Sequence, residues 1–239
     1  MAGIDRTGWG IGLSAAREAL GLPALVMGAS FVGFGSLVRE AGLGLWLGLY
    51  STATGWALPG QVVVVELYGV GASLLMTSIA VALTNARLLP MVVTLMPLLK
   101  EERQATWKYL LAAHFVAVTG WATAQLRCPD LPRKYRLTWF ACFSGALWVV
   151  SMAGTAFGFL LAGFVPQPVT LGLVFLNPLY FMLVFATDLR QRAKVYALCA
   201  GAALGPPLHL LEPDWGLMAT GLIAGTGAFL AGRGARGLG

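Results

Sequence analysis

Charged residues are scarce in this chain, since only 11% of its 239 residues are Asp, Glu, Lys or Arg. An ordinary soluble domain carries roughly 25% charged residues, so the composition excludes that class. Hydrophobic residues make up 58% of the sequence, and the mean hydropathy is +0.76. Because only helices and closed barrels can cross a bilayer, and the apolar runs here are of helical length, the sequence predicts an all-α, polytopic integral membrane protein.

Residue groups that usually carry out chemistry are also missing. The three cysteines, Cys128, Cys142 and Cys199, follow no ligand or disulfide spacing, and we interpret them as packing residues. Two histidines, His114 and His209, stand alone in apolar sequence, and the acidic residues are scattered. No Gly-x-x-x-x-Gly-Lys loop occurs. We therefore expect no enzyme, no bound metal and no cofactor.

The basic residues occur in short clusters between apolar runs, although the net charge of +6 would also suit a nucleic-acid partner. Clusters of this kind are topology signals, so we expect the bilayer and not nucleic acid as the partner. The positive-inside rule places the loops around Arg133 and Arg192, and the C-terminus, in the cytoplasm. The acidic Glu212 and Asp214 then lie outside.

The chain has room for about seven or eight transmembrane or re-entrant helices, each crossing needing about 20 residues. We predict a short polar lead over residues 1–18, a single membrane domain over residues 19–232 and a basic tail over residues 233–239. One conflict arises in the first half. The basic segments 100–108 and 127–136 should lie on opposite sides if residues 109–124 cross the membrane. Either that segment re-enters without crossing, or one basic segment breaks the rule.

Proline interrupts three apolar runs, at Pro59-Gly60, Asn177-Pro178 and Pro206-Pro207. Proline removes a backbone donor and clashes with the preceding turn, so we expect a helix break at each place. Irregular backbone at membrane depth is tolerated only where it is buried in protein or lines a cavity. Broken helices in both halves therefore predict a binding site near the membrane midplane.

A few polar residues, whose transfer into the membrane costs free energy, surround the first of these breaks. Such residues mark functional sites in membrane proteins. We select as candidate substrate-binding residues Pro59, Gly60, Gln61, Asn85, Arg87 and Asn177. Glu66, which follows four valines, is the candidate for ion coupling.

Each of these polar residues also has a structural interpretation. Arg87 can extend to the membrane interface and mark the end of a span. Asn85 can pair with nearby backbone, and Gln61 can satisfy backbone groups freed by the break. Glu66 can lie at the membrane face.

The order of these motifs resembles the AzlC-type family, the large permease subunit of branched-chain amino acid exporters. The motifs are Gly-Trp-Ala-x-Pro-Gly-Gln over residues 55–61, Gly71-Ala72-Ser73, and Thr84-Asn85-x-Arg87. The later order is similar as well, with Trp148 in a span after a basic loop and Pro178 in the next. The resemblance implies export of branched-chain or related neutral amino acids across a bacterial inner membrane. It also implies a small four-span partner subunit of the AzlD type.

Two departures leave the substrate and the ion coupling open. This chain has Leu88 where the family has His, and it lacks an acidic pair in the stretch Thr119-Gly120-Trp121-Ala122. The alternatives to a transporter are a channel-like or accessory membrane subunit without its own substrate site, and an intramembrane enzyme. This chain lacks the residue groups that an enzyme requires. A pore would show charge repeated along one helix, and this sequence does not, so transport is our interpretation.

Overall fold

A computed structural model describes residues 8–101, 104–164, 166, 168–175, 179, 192–211 and 216–234. These residues are helical or lie in short connections, and no β-strand occurs among them. The predicted all-α class is therefore confirmed. Contacts divide the chain into two compact units, Met1–Phe181 and Met182–Gly239. The single membrane domain proposed for residues 19–232 stays a prediction.

The first unit contains nine labelled helices within its described residues. They are α1 Gly8–Ala19, α2 Leu22–Glu40, α3 Leu45–Gly55, α4 Leu58–Gly69, α5 Leu74–Asn85, α6 Leu88–Leu99, α7 Thr106–His114, α8 Val118–Arg127 and α9 Arg133–Leu161. A single 3₁₀ turn, Cys128–Asp130, precedes α9, and residues 168–175 are also helical. The turns after α2 and α4 each contain a glycine with positive φ, at Gly42 and Gly71, a conformation that glycine adopts without strain.

Two of the described helices, α2 and α9, are long and apolar enough to cross a membrane. Together, α5 and α6 make a third candidate span, bent by 43° at its break. The remaining helices of this unit are shorter, from 9 to 12 residues. The total of seven or eight transmembrane or re-entrant helices stays a prediction.

Helices α2 and α9 form the centre of the first unit, with their backbones in direct contact. A methyl group at Gly154 would lie 2.8 Å from the Gly28 carbonyl oxygen, and one at Gly158 would collide with the Val32 carbonyl. Small residues at such a crossing allow close van der Waals packing, which drives helix association in lipid. Phe31 of α2 is buried beside this crossing.

The N-terminal lead contains structure that its polarity did not suggest. Helix α1 packs on α9, with Ile11, Ala15 and Ala19 on its buried side. These apolar residues recur every four positions, which places them on one face of a helix. The lead therefore extends the packing surface of α9.

The second unit contains two described helices, Arg192–Leu211 and Gly216–Gly234, which pack against each other. Pro206 and Pro207 lie inside the first of them, so the break predicted at this place is wrong. The φ angle of proline is compatible with a helix, and each proline removes one hydrogen bond without forcing the chain to unwind. The break predicted at Asn177-Pro178 lies outside the described residues.

Candidate functional site

Three pairs of short helices occur in the first unit, and in each pair a break of two or three residues separates the two helices. The first break, residues 56–57, separates α3 from α4; the second, residues 86–87, separates α5 from α6; the third, residues 115–117, separates α7 from α8. The first break contacts both of the others, as the following distances show. We call the region where they meet the junction.

The first break lies slightly before the predicted position. Trp56 and Ala57 are non-helical, whereas Pro59 and Gly60 already belong to the first turn of α4. Proline is favourable in a first helical turn because the N–H that it lacks has no partner there. The predicted interruption at Pro59-Gly60 is therefore corrected to residues 56–57.

A sharp change of direction accompanies this break. The Gln61 side chain donates from Nε2 to Thr52 Oγ1 at 3.2 Å, and to Ser51 Oγ at 3.1 Å. In a straight helix, nine residues would separate Thr52 from Gln61 by about 13 Å along the axis. The hydrogen bonds therefore require α4 to turn back towards the end of α3.

The first and third breaks are joined through the carbonyl oxygen of Ala53. This oxygen faces His114 Nε2 at 3.0 Å and accepts a hydrogen bond from Trp148 Nε1 at 3.4 Å. Since α3 ends at Gly55, the carbonyl of Ala53 is among the last of its helix, where partners must come from elsewhere. The Phe115 ring also contacts Trp56 and Trp148, each with ring centroids 6.1 Å apart.

Helices α7 and α8 have the dimensions of a re-entrant hairpin. They contain 9 and 10 residues, so each rises about 13–15 Å, roughly half of a 30 Å hydrocarbon core. The tip between them is buried, with Val116 3% exposed and Ala117 6% exposed.

Both ends of this hairpin lie on the same side of the first unit. Arg136, near the start of α9, donates from Nη1 to the carbonyl of Leu98, near the end of α6, at 3.2 Å. The start of α9 therefore lies beside the end of α6. This contact favours the re-entrant alternative over a crossing by residues 109–124, and both basic segments can then obey the positive-inside rule.

The second break meets the first through Gly60 and Asn85. A methyl group added to Gly60 would lie 2.6 Å from Asn85 Nδ2 and 2.7 Å from Oδ1, so a larger residue at this position would displace the amide. Asn85 is the last residue of α5. The two residues selected from sequence are thus brought into contact.

A chain of buried side-chain hydrogen bonds extends from the junction into α9. Gln61 donates to Thr52, whose hydroxyl lies 3.0 Å from that of Thr155. One turn away on α9, the hydroxyl of Ser151 accepts from the Trp56 indole at 3.0 Å. These side chains are all buried, where hydrogen bonds are electrostatically stronger than in water.

Three buried side-chain atoms have no hydrogen-bond partner within the described part of the chain: Gln61 Oε1, Asn85 Oδ1 and Ser144 Oγ. All three can accept a hydrogen bond. An unpaired buried acceptor costs about 1–3 kcal/mol, so these atoms call for a donor. Ser144 lies against Gly120 of α8, whose added methyl group would be 2.8 Å from its hydroxyl.

The remaining selected residues lie apart from this network. Arg87 is exposed at the second break, two residues from Asn85. Glu66 is exposed on α4, whereas Gln61 and Val65 face the core, so the structure does not bring its carboxylate to the junction. Asn177 lies outside the described residues. Within the described ranges, no group of three or more His, Cys, Asp or Glu could hold a metal ion.

Sequence reasoning missed the polar residues that α3 and α9 contribute. Thr52 was not selected, nor were Ser144, Ser151 and Thr155, which follow one another at spacings of seven and four along α9. Such spacing keeps polar residues on one helix face, and this pattern within an apolar run could have identified them. His114 was noted only as a histidine that stands alone in apolar sequence.

Comparison with known proteins gives one match. A family model described as AzlC protein matches residues 23–165. The matched region runs from α2 through α9 and contains all three breaks. No curated protein and no solved structure matches the chain.

Proposed function

Because this chain belongs to the AzlC family, we propose that it is a permease subunit that exports branched-chain or related neutral amino acids across a bacterial inner membrane. The family makes it a transport-related membrane protein. The substrate, the direction of transport and the membrane are our proposals, and they extend the resemblance carried by residues 55–61 and 84–87.

The observation that carries the proposal is the meeting of three helix breaks at a buried polar network. Broken helices near the midplane form the substrate sites of many secondary transporters, since their free backbone ends and polar side chains can replace water around a zwitterion. Without such partners, each charge of an amino acid entering an apolar site loses several kcal/mol of hydration. Gln61, Thr52 and Asn85 supply polar groups at this place.

Arg87 is the proposed partner of the substrate carboxylate. It follows the second break directly, and its planar guanidinium can donate two parallel hydrogen bonds to a carboxylate. In this chain alone its side chain is exposed, so it is accessible to a substrate. Glu66 keeps its predicted role in ion coupling as a proposal, at a place separate from the junction.

A small four-span subunit of the AzlD type is the proposed partner. Flux should be measured in proteoliposomes that contain this chain alone, such a subunit alone, and the two together. Labelled leucine, valine and methionine are suitable substrates. We expect saturable exchange of at least one of them when both subunits are present.

Two outcomes would contradict the proposal. Flux that increases linearly with concentration would favour the channel-like alternative. Full exchange by the partner without this chain would favour an accessory subunit.

A further inference from the structure

The amide of Gln61 is held so that its oxygen, and not its nitrogen, remains free. Thr52 Oγ1 donates its proton to the carbonyl of Gly48 at 3.0 Å and therefore presents a lone pair to Gln61. The Gln61 nitrogen then donates to Thr52 at 3.2 Å and to Ser51 at 3.1 Å. Its Oε1 is buried and unpaired among the described residues, in a side chain that is 3% exposed.

A second unpaired amide oxygen belongs to Asn85, at the end of α5. The side chain of Asn85 rests against Gly60, which directly precedes Gln61, and its Oδ1 is also buried without a partner in the described region. The carboxylate of Glu66 is exposed on α4, whereas Gln61 and Val65 are on its buried side. Gln61 and Asn85 therefore contribute two unused acceptors beside the first turn of α4, and Glu66 adds no buried negative charge there.

Two free acceptors select a ligand group that carries N–H donors. A primary ammonium has three such donors, whereas a carboxylate has only acceptors and would be repelled by amide oxygens. Carbonyl oxygens can replace the hydration shell of a cation without a formal negative charge, as they do in ion filters.

We propose that Gln61 Oε1 and Asn85 Oδ1 bind the primary ammonium group of the transported amino acid. This inference rests on the proposed function. The two amide oxygens contact the ammonium end of the substrate, and Arg87 contacts its carboxylate end. The ligand N–H groups donate to the two amide oxygens, while Ser51 and Thr52 position Gln61 by accepting from its nitrogen. Recognition at this end depends on hydrogen-bond donors and not on charge alone.

Equilibrium binding of labelled leucine to the purified full-length chain, with four unlabelled competitors, tests this inference. The competitors are leucine, 3-methylbutylamine, which lacks the carboxylate, 4-methylpentanoate, which lacks the amine, and N,N,N-trimethylleucine, which keeps the positive charge but has no N–H. We expect leucine and the amine to compete. The other two should compete at least about tenfold more weakly than leucine.

The variant Gln61→Met removes the amide oxygen and the amide nitrogen at nearly constant side-chain size. We expect its affinity for leucine to fall about tenfold or more, while its weak affinity for 4-methylpentanoate stays unchanged. The matched control is Gln104→Met, on a loop residue that accepts from Lys108 Nζ at 2.9 Å, and it should bind as the unmodified chain does.

Several results would overturn the inference. N,N,N-trimethylleucine that competes as well as leucine would show that charge suffices, and effective competition by 4-methylpentanoate would show that a carboxylate occupies the site. Failure of every ammonium compound to bind would mean that the two oxygens contact only buried water. Leucine binding without flux in proteoliposomes would contradict the proposed function alone and leave this inference standing.

Discussion

Gly60 lies against the side-chain amide of Asn85, so closely that a methyl group at Gly60 would be 2.6 Å from Nδ2. This contact joins the second break to the first, because Gly60 lies in the first turn of α4 and Asn85 ends α5. A glycine is required here by an approaching side chain and not by backbone conformation. The junction therefore depends on contacts between breaks that are distant in sequence.

Pro59→Ala should leave the first break and transport nearly unchanged. Pro59 lies in the first turn of α4, where its missing N–H has no helical partner, and the break itself lies at residues 56–57. We expect a change in stability of less than about 1 kcal/mol. Leucine exchange at equal membrane abundance measures transport by this variant. A large loss of exchange would show that Pro59 maintains the break.

Gly158→Ala should destabilise the first unit by about 1–3 kcal/mol or more, as overpacking does, because its methyl group would collide with the backbone of Val32. The matched control is Gly145→Ala on the same helix, where nothing lies within 4 Å of the added methyl group. Thermal unfolding in detergent measures both variants. Equal melting temperatures would refute the close packing of α2 on α9.

Cysteines placed at Lys100 and Lys134 should react with an impermeant thiol reagent from the same side of the membrane. The reason is the hydrogen bond of 3.2 Å between Leu98 and Arg136, which brings both ends of the α7–α8 hairpin together. Labelling of intact cells and of inverted vesicles distinguishes the two sides. Reaction from opposite sides would mean that residues 109–124 cross the membrane.

The native Cys128 should stay unlabelled in that experiment at neutral pH. Burial raises the pKa of its thiol to about 11, against a smaller opposing effect of the Arg136 charge. Since the thiolate is the reactive form, its fraction at pH 8 is about one in a thousand, and alkylation should accelerate only as the pH rises towards 11. Rapid labelling of Cys128 at pH 7 would contradict its burial.

Arg87→Lys separates a binding role from a topological one. Lysine keeps the positive charge that orients a span but loses the bidentate fork. We expect the apparent affinity for the amino acid to fall about tenfold, or roughly 1.4 kcal/mol, at normal membrane abundance. Unchanged affinity would mean that Arg87 only anchors its helix.

Local sequence signals predicted much of the fold but only part of the junction. Residues 137–164 form an apolar run long enough to span a membrane, and the structure has α9 at Arg133–Leu161, while Pro59 indicated the first break to within three residues. These features follow from length, composition and proline chemistry, which act over a few residues.

The other two breaks could not be located from local signals. Ala86-Arg87 and Phe115-Val116-Ala117 contain no glycine or proline, the residues that mark helix ends most strongly. Likewise, Thr52 and Thr155 are ordinary threonines in sequence, and only the fold brings their hydroxyls to 3.0 Å. The polar network therefore depends on packing over more than a hundred residues.

If the meeting of the breaks forms the transport site, Gly60→Ala and Gly69→Ala should differ sharply in transport. Both glycines lie on α4, but a methyl group meets Asn85 at Gly60 and nothing within 4 Å at Gly69. The measurement is exchange of labelled leucine in proteoliposomes at equal protein content. We expect at least about a tenfold loss for Gly60→Ala and normal exchange for Gly69→Ala, whereas equal exchange by the two variants would show that the junction is not the transport site.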